Sequence, residues 1–263
     1  MHRLFPALLI AAAPVASLAA QNPDFHWDKT LAAGNDVHVN NINGNVKITP
    51  SANGHVVVNG FKHGGRDADR IKAVVEESSR GIAVCVVYDD PDARCSDEGV
   101  GYHSRNRDHN WNNASIDLEV SVPANLTVSA GSVSGDVSID GAHGDVTASA
   151  VSGDVHLEHL HATSVRANTV SGEIDVRVDE LAGRGDFTFH SVSGDIRLEV
   201  PKGFGADLSL TTVSGDIDSD FPITLGGSNR WSRRRVDARI GDGGRRLDVS
   251  TVSGDLRLRM AKS

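Results

Sequence analysis

Phe187-Thr188-Phe189-His190-Ser191-Val192-Ser193-Gly194-Asp195-Ile196-Arg197-Leu198-Glu199-Val200 joins two alternating segments through a Ser-Gly-Asp corner. Beyond the corner, Ile196, Leu198 and Val200 alternate with Arg197 and Glu199, the period-two pattern of a half-buried strand. Its centre, Val-Ser-Gly-Asp, recurs at Val133–Asp136, Val151–Asp154, Val213–Asp216 and Val252–Asp255, with a variant at Val170–Glu173. The motif glycines are Gly135, Gly153, Gly172, Gly194, Gly215 and Gly254, so the steps are 18, 19, 22, 21 and 39 residues. The last step is close to twice the others, as if one copy had lost its motif. Self-similarity near 20 residues is the signature of a solenoid, each repeat forming one coil stacked on the next.

The flanks agree. Ile174-Asp175-Val176-Arg177-Val178 and Leu256-Arg257-Leu258-Arg259-Met260 follow their motifs; Leu208-Ser209-Leu210 and Leu247-Asp248-Val249 precede theirs. Each coil therefore reads as strand, Gly-Asp corner, strand and looser return. Expected inward residues are Leu157, Ile174, Ile196, Leu198, Ile217 and Leu256, together with the motif valines Val133, Val151, Val170, Val192, Val213 and Val252. Counting by twos also turns Thr212 inward, and two adjacent inward residues demand a corner or bulge. Ser132, Ala150, Thr169, Ser191, Thr212 and Thr251 should pile into a column whose hydroxyls bond one another or the backbone. The motif glycines read as structural turns, because glycine reaches positive φ at no steric cost. Calcium is the competing reading of the Asp column, but one Asp per coil falls short of six to eight oxygens.

Residues 1–20 read as a cleavable secretory signal: a basic start, an apolar run from Leu4 to Ala13 and small residues before Gln21. No later apolar stretch reaches the ~18 residues that span a bilayer. Residues 21–263 read as one domain, with 115–263 as its regular repeat region. Cys85 and Cys95 suit a disulfide in an oxidising compartment. Cleavage removes Arg3 and leaves 25 basic against 35 acidic residues, a balance of −10 that argues against general nucleic-acid binding.

Before the repeats, Asn43-Gly44-Asn45 stands where Ser-Gly-Asp stands later. Residues 70–77 and 82–88 suggest an antiparallel hairpin across Ser78–Gly81, with a helical turn before Ile71. Residues 89–113 read as the longest loop. The stretch Asn41–Ile48, the six motif copies, Ile240-Gly241-Asp242-Gly243-Gly244 and Leu247–Leu258 resemble the bacterial putative-adhesin family of unknown function with repeated T-V-S-G-D-I β-solenoid coils. That resemblance implies a β-solenoid and an adhesin role, and it brings no catalytic residues.

Three clusters invite chemistry. His156, Glu158, His159 and His161 resemble ligands, yet a closed zinc site needs about four and nothing nearby in sequence completes the set. Asp89, Asp90, Asp92, Asp97 and Glu98 match no EF-hand spacing and suit an ordinary acidic loop. Arg230, Trp231, Arg233, Arg234 and Arg235, continuing to Arg239, Arg245 and Arg246, form a candidate partner patch with only Asp237 and Asp242 opposing in sequence. The C-terminal coil, closed by Leu256–Met260, is expected to leave an open solenoid end beside it.

No catalytic, cofactor or metal site emerges, since acid and base groups do not converge in the pattern. The reading is an exported, periplasmic or surface-located, non-enzymatic interaction module of the cell envelope, a putative adhesin, binding an envelope protein or an anionic polymer. A periplasmic envelope-stress or signalling scaffold and a carbohydrate-active enzyme on a β-helix are the alternatives.

Overall fold

A computed structural model describes residues 22–88, 93–101, 114–224 and 235–261. The proposed signal peptide lies outside them. The described residues form β-strands with a single 3-10 turn, Gly65–Arg70, and no α-helix.

The strands make two stacked faces around one apolar core, a β-solenoid. On the first face Asp36–Asn43, Thr127–Ser134, His143–Ser152, the second half of Val155–Ser171, Phe187–Ser193, Arg246–Ser253 and Ala206–Ser214 follow one another in parallel. On the second face the parallel order is Val46–Pro50, Val137–Asp140, the first half of Val155–Ser171, Ile174–Leu181, Ile196–Val200, Leu256–Met260 and Ile217–Ser219. Asn43-Gly44-Asn45 is the corner of the first coil, as its likeness to the motif suggests. Leu157, Ile174, Ile196, Leu198 and Leu256 are buried, and Ile217 is partly buried.

Spatial and chain order part company near the C-terminus. The coil 246–260 inserts between the coils 187–200 and 206–219. Leu256–Met260 therefore has a neighbour on both sides and does not form the open end that the sequence suggests. Among its described residues the 39-residue step shows no degenerate coil either. It carries Arg235–Ile240, which runs antiparallel along Ala206–Ser214 and caps that edge. Blocking an edge strand in this way protects a sheet from further pairing.

At the opposite end the hairpin of Ile71–Ser78 and Gly81–Tyr88 caps the first face, while Ser115–Val122, Val56–His63 and Phe25–Lys29 cap the second. Cys85 and Cys95 are joined, with Cα atoms 5.7 Å apart, and this pins the small hairpin Arg94–Ser96/Gly99–Gly101 over the outside of the first face. Replacing both cysteines by serine should lower stability by about 2–3 kcal/mol through the freed loop. Urea unfolding of parent and variant, with and without reductant, checks this, and only the parent should respond to reductant.

The motif now has a physical reading, residue by residue. Alternation continues straight through it, so the small residue points in and the valine points out. The inward hydroxyls reach the glycine carbonyl of the adjacent coil: Ser132 to Gly44 at 2.9 Å, Thr169 to Gly153 at 3.1 Å, Ser191 to Gly172 at 3.3 Å, Thr251 to Gly194 at 3.2 Å and Thr212 to Gly254 at 3.0 Å. Each gives a glycine carbonyl at the corner a donor, and the Gly44 carbonyl also accepts from Asn41 Nδ2 at 2.9 Å. The following Asp builds a second ladder. Its Oδ1 accepts the N–H of the corresponding residue one coil on, from Asp154 to Asp136 at 2.9 Å, Glu173 to Asp154 at 2.7 Å, Asp255 to Asp195 at 2.8 Å and Asp216 to Asp255 at 3.0 Å. Asn45 plays the same part for Asp136. These carboxylates are engaged in stacking the chain.

The ladder predicts acid sensitivity. The Asp255 N–H holds the Asp195 carboxyl below the usual carboxylate range; partial burial opposes this, and Arg257 assists it. A depressed pKa contributes stability above the unfolded value, about 3.9, that is lost as pH falls through the folded one. Melting temperature should therefore drop on acidification below pH ~4. Asp195→Asn keeps the acceptor oxygen and should show a shallower drop than the parent.

Candidate interaction face

The motif valines are the principal correction to the sequence reading. Val133, Val151, Val170, Val192, Val213 and Val252 are not in the core; they are 46–58% exposed. The error lay in assuming that an apolar side chain must turn inward, when strict alternation had already given that place to Thr212 and its equivalents. Registers on either side fix the stacking: Ser132 lies beside Ala150 and Ser134 beside Ser152, so Val133 lies beside Val151. With Ile42 at one end, the valines form a continuous rail along the first face. Seven rungs at the usual strand spacing extend it to about 29 Å.

The surroundings of the rail are as telling as the rail. The two outward columns nearest it are His38, Ser129, Thr147, Arg166, Thr188, Asp248 and Ser209, then Asn40, Gly131, Ser149, Asn168, His190, Ser250 and Thr211. Only Arg166 and Asp248 carry formal charges there. The second face presents Lys47, Asp140, Glu158, Asp175, Arg177, Arg197, Glu199, Arg257, Arg259 and Asp218 on its outward positions. Many of these pair among themselves or with adjacent acids, as Arg197 with Asp175 at 3.2 Å and Arg259 with Asp218 at 2.8 Å. The second face is thus an ordinary charged surface; on the first, charge collects in the outward column farthest from the rail, where Asp36, Asp145, Asp207 and Arg246 lie, and thins toward the valines. Depletion of charge at the centre is what separates interfaces from other protein surface.

Where the disulfide-pinned hairpin stands over the first face, it makes a groove of about 430 Å³. Glu98, Gly99 and Val100 form its wall, with Ile42, Gly131, Val133, Ser149 and Val151 among the facing residues. Asn40 Nδ2 donates to the Ser96 carbonyl at 3.3 Å and ties wall to floor. Gly131 deepens the floor, since it puts no side chain into a column otherwise filled.

The remaining sequence candidates disperse. His159 Nδ1 lies 2.8 Å from Asp140 Oδ1, and that contact raises its pKa, whereas His161 stacks on His143 with ring centroids 4.5 Å apart. His156 lies between Ser138 and Asp175 in the register. The four residues do not assemble a metal site. Asp97 pairs with Arg80 at 2.7 Å, while Asp89, Asp90 and Asp92 lie outside the described residues. So do Arg230, Trp231, Arg233 and Arg234. Arg235 is exposed and pairs with Asp237 at 2.6 Å. Arg239 pairs with Asp207 at 2.6 Å, an acid 32 residues away in the sequence, and Arg246 with nearby Asp248 at 2.8 Å, so Arg235, Arg239 and Arg246 each meet an acid.

The family Toastrack DUF4097 matches residues 29–259, and the chain belongs to that family. A solved structure from Clostridium sporogenes, described as a putative cell adhesion protein, is similar at a TM-score of 0.50 and 9% identity, over 90% of this chain and 99% of that one. A putative adhesin from Bacteroides fragilis is similar at a TM-score of 0.42 and 13% identity, over the same shares. No curated protein matches the chain. At 9% identity the first likeness speaks for the β-solenoid fold.

Proposed function

We propose that the protein is an exported, non-enzymatic, adhesin-like interaction module of the bacterial cell envelope that docks a protein partner on the valine face. The exposed rail carries this reading. Six repeats each place valine where the alternation would accept any polar residue, and β-sheet propensity alone would be met equally well by threonine. A contiguous apolar strip of this length on a monomer marks a contact surface. The partner is a protein and not an anionic polymer at this site, because the two columns beside the rail hold a single cation, Arg166, and the third outward column carries Asp36, Asp145 and Asp207 against Arg246. The face's hydroxyl and amide columns suit hydrogen bonds around an apolar centre. The disulfide and the apolar leader in the sequence support an extracytoplasmic address.

The triple variant Val151→Asp, Val170→Asp, Val192→Asp tests the reading. The three positions lie on consecutive rungs, where like charges repel, so urea unfolding first establishes that the variant is folded under the binding conditions. The variant should lose the envelope protein that the parent retains, whereas Arg177→Asp with Arg197→Asp on the charged face should keep it. Equal retention by all three proteins would refute the assignment. Cell fractionation of the parent should recover it outside the cytoplasm.

A further inference from the structure

Arg245 is the chemically unresolved group of the structure. It is 6% exposed, at the corner that leads into Arg246–Ser253. Its guanidinium carbon lies 4.8 Å from the Phe187 ring centroid and 5.4 Å from that of Phe204. Nη2 donates to the Gly183 carbonyl, while Nη1 is enclosed with no hydrogen-bond partner among the described residues. Burial lowers its pKa and Arg184 adds repulsion, with Asp186 opposing both through space. Arginine nevertheless keeps its proton in proteins, so this charge cannot be removed by titration. Stacking on two rings recovers part of the lost hydration. A buried charge without a carboxylate partner remains costly.

A cavity of about 530 Å³ adjoins it, lined by Arg184, Lys202 and Arg245 and by the glycine-rich turns Gly203–Gly205 and Gly241–Gly244. Asp242 is the acid in the lining, so the cations outnumber it. We propose that this corner cavity binds an oxyanion of the phosphate or sulfate type, with Arg245 as the buried counter-charge and Arg184 and Lys202 as the outer cations. The site shares no residue with the valine face and stands or falls apart from it.

Thermal unfolding of the mature chain, titrated with sodium phosphate against sodium chloride at matched ionic strength, tests the site. The parent should show a saturable rise in melting temperature specific to phosphate, because binding to the folded state stabilises it. Arg184→Gln should weaken the apparent affinity at least about tenfold, the loss expected for one charge-assisted hydrogen bond. Arg245→Met keeps an apolar stem between the rings and should abolish the response. If that variant fails to fold, Arg184→Gln and Lys202→Gln still decide the matter. A linear phosphate polymer displacing phosphate from the parent, and not binding Arg184→Gln, would identify a polymer-borne group as the source; binding of inorganic phosphate alone would identify the free ion. An equal response to chloride, or an unchanged phosphate response in Arg184→Gln and Lys202→Gln together, would overturn the site and leave Arg245 as an aromatic-stacked plug.

Discussion

Gly194→Val should destabilise the protein by about 2–6 kcal/mol, the sum of backbone strain and overpacking. Gly194 has φ of 150°, and a Cβ placed on it would sit 1.9 Å from the Gly172 carbonyl oxygen of the adjacent coil. Backbone cannot yield there, because the same carbonyl accepts the Ser191 hydroxyl at 3.3 Å. The neighbouring rungs are built alike: a Cβ on Gly254 would meet Gly194 O at 2.2 Å, and one on Gly172 would meet Gly153 O at 2.0 Å. The damage therefore spreads to coils on both sides. Gly34→Val is the control for positive φ alone, since φ is 82° there and nothing lies within 4 Å of the added carbon. Urea unfolding should place Gly194→Val well below Gly34→Val. Equal midpoints would mean that the stack tolerates a side chain at its corner.

Phe187→Ala should cost about 3–5 kcal/mol, as expected for a fully enclosed aromatic side chain. Phe187 is 0% exposed and lies in register between Val165 and Leu247 of the two adjacent coils. Its ring is edge-on to Phe189 at 6.3 Å and tilted against Phe204 at 5.7 Å, and Phe204 continues to Phe221 at 6.3 Å. Removing the ring also strips one of the two faces on which Arg245 rests. A drop in urea midpoint at unchanged slope is the expected result; an unchanged midpoint would contradict this account of the core.

The repeat made the solenoid legible because spacing near 20 residues and period-two alternation are local signals. Ile196, Leu198 and Leu256 could be assigned inward from their own neighbours. The small column was legible for the same reason, since Thr212 follows Leu208 and Leu210 by twos. The valines were misplaced where hydrophobicity was allowed to outvote that count. Coil order was beyond reach: nothing in residues 246–260 says that they enter between two earlier coils, because all the coils share one register-setting corner. The contrast between the faces was present in the sequence, in the charged residues after each motif and the hydroxyls before it. Their meaning needed the valines on the outside. Arg245 looked like one more member of a basic run, and only its contacts with Phe187, Phe204 and Gly183 separate it from exposed Arg246.

A photoreactive residue at position 170, compared with one at 177, tests the central claim most directly. Val170 lies on the rail and Arg177 on the charged face, and both are exposed. Irradiation of intact cells should give a discrete protein adduct from position 170 and none from position 177. Adducts from 177 alone, or the same adducts from both positions, would contradict the assignment of the valine face as the docking surface.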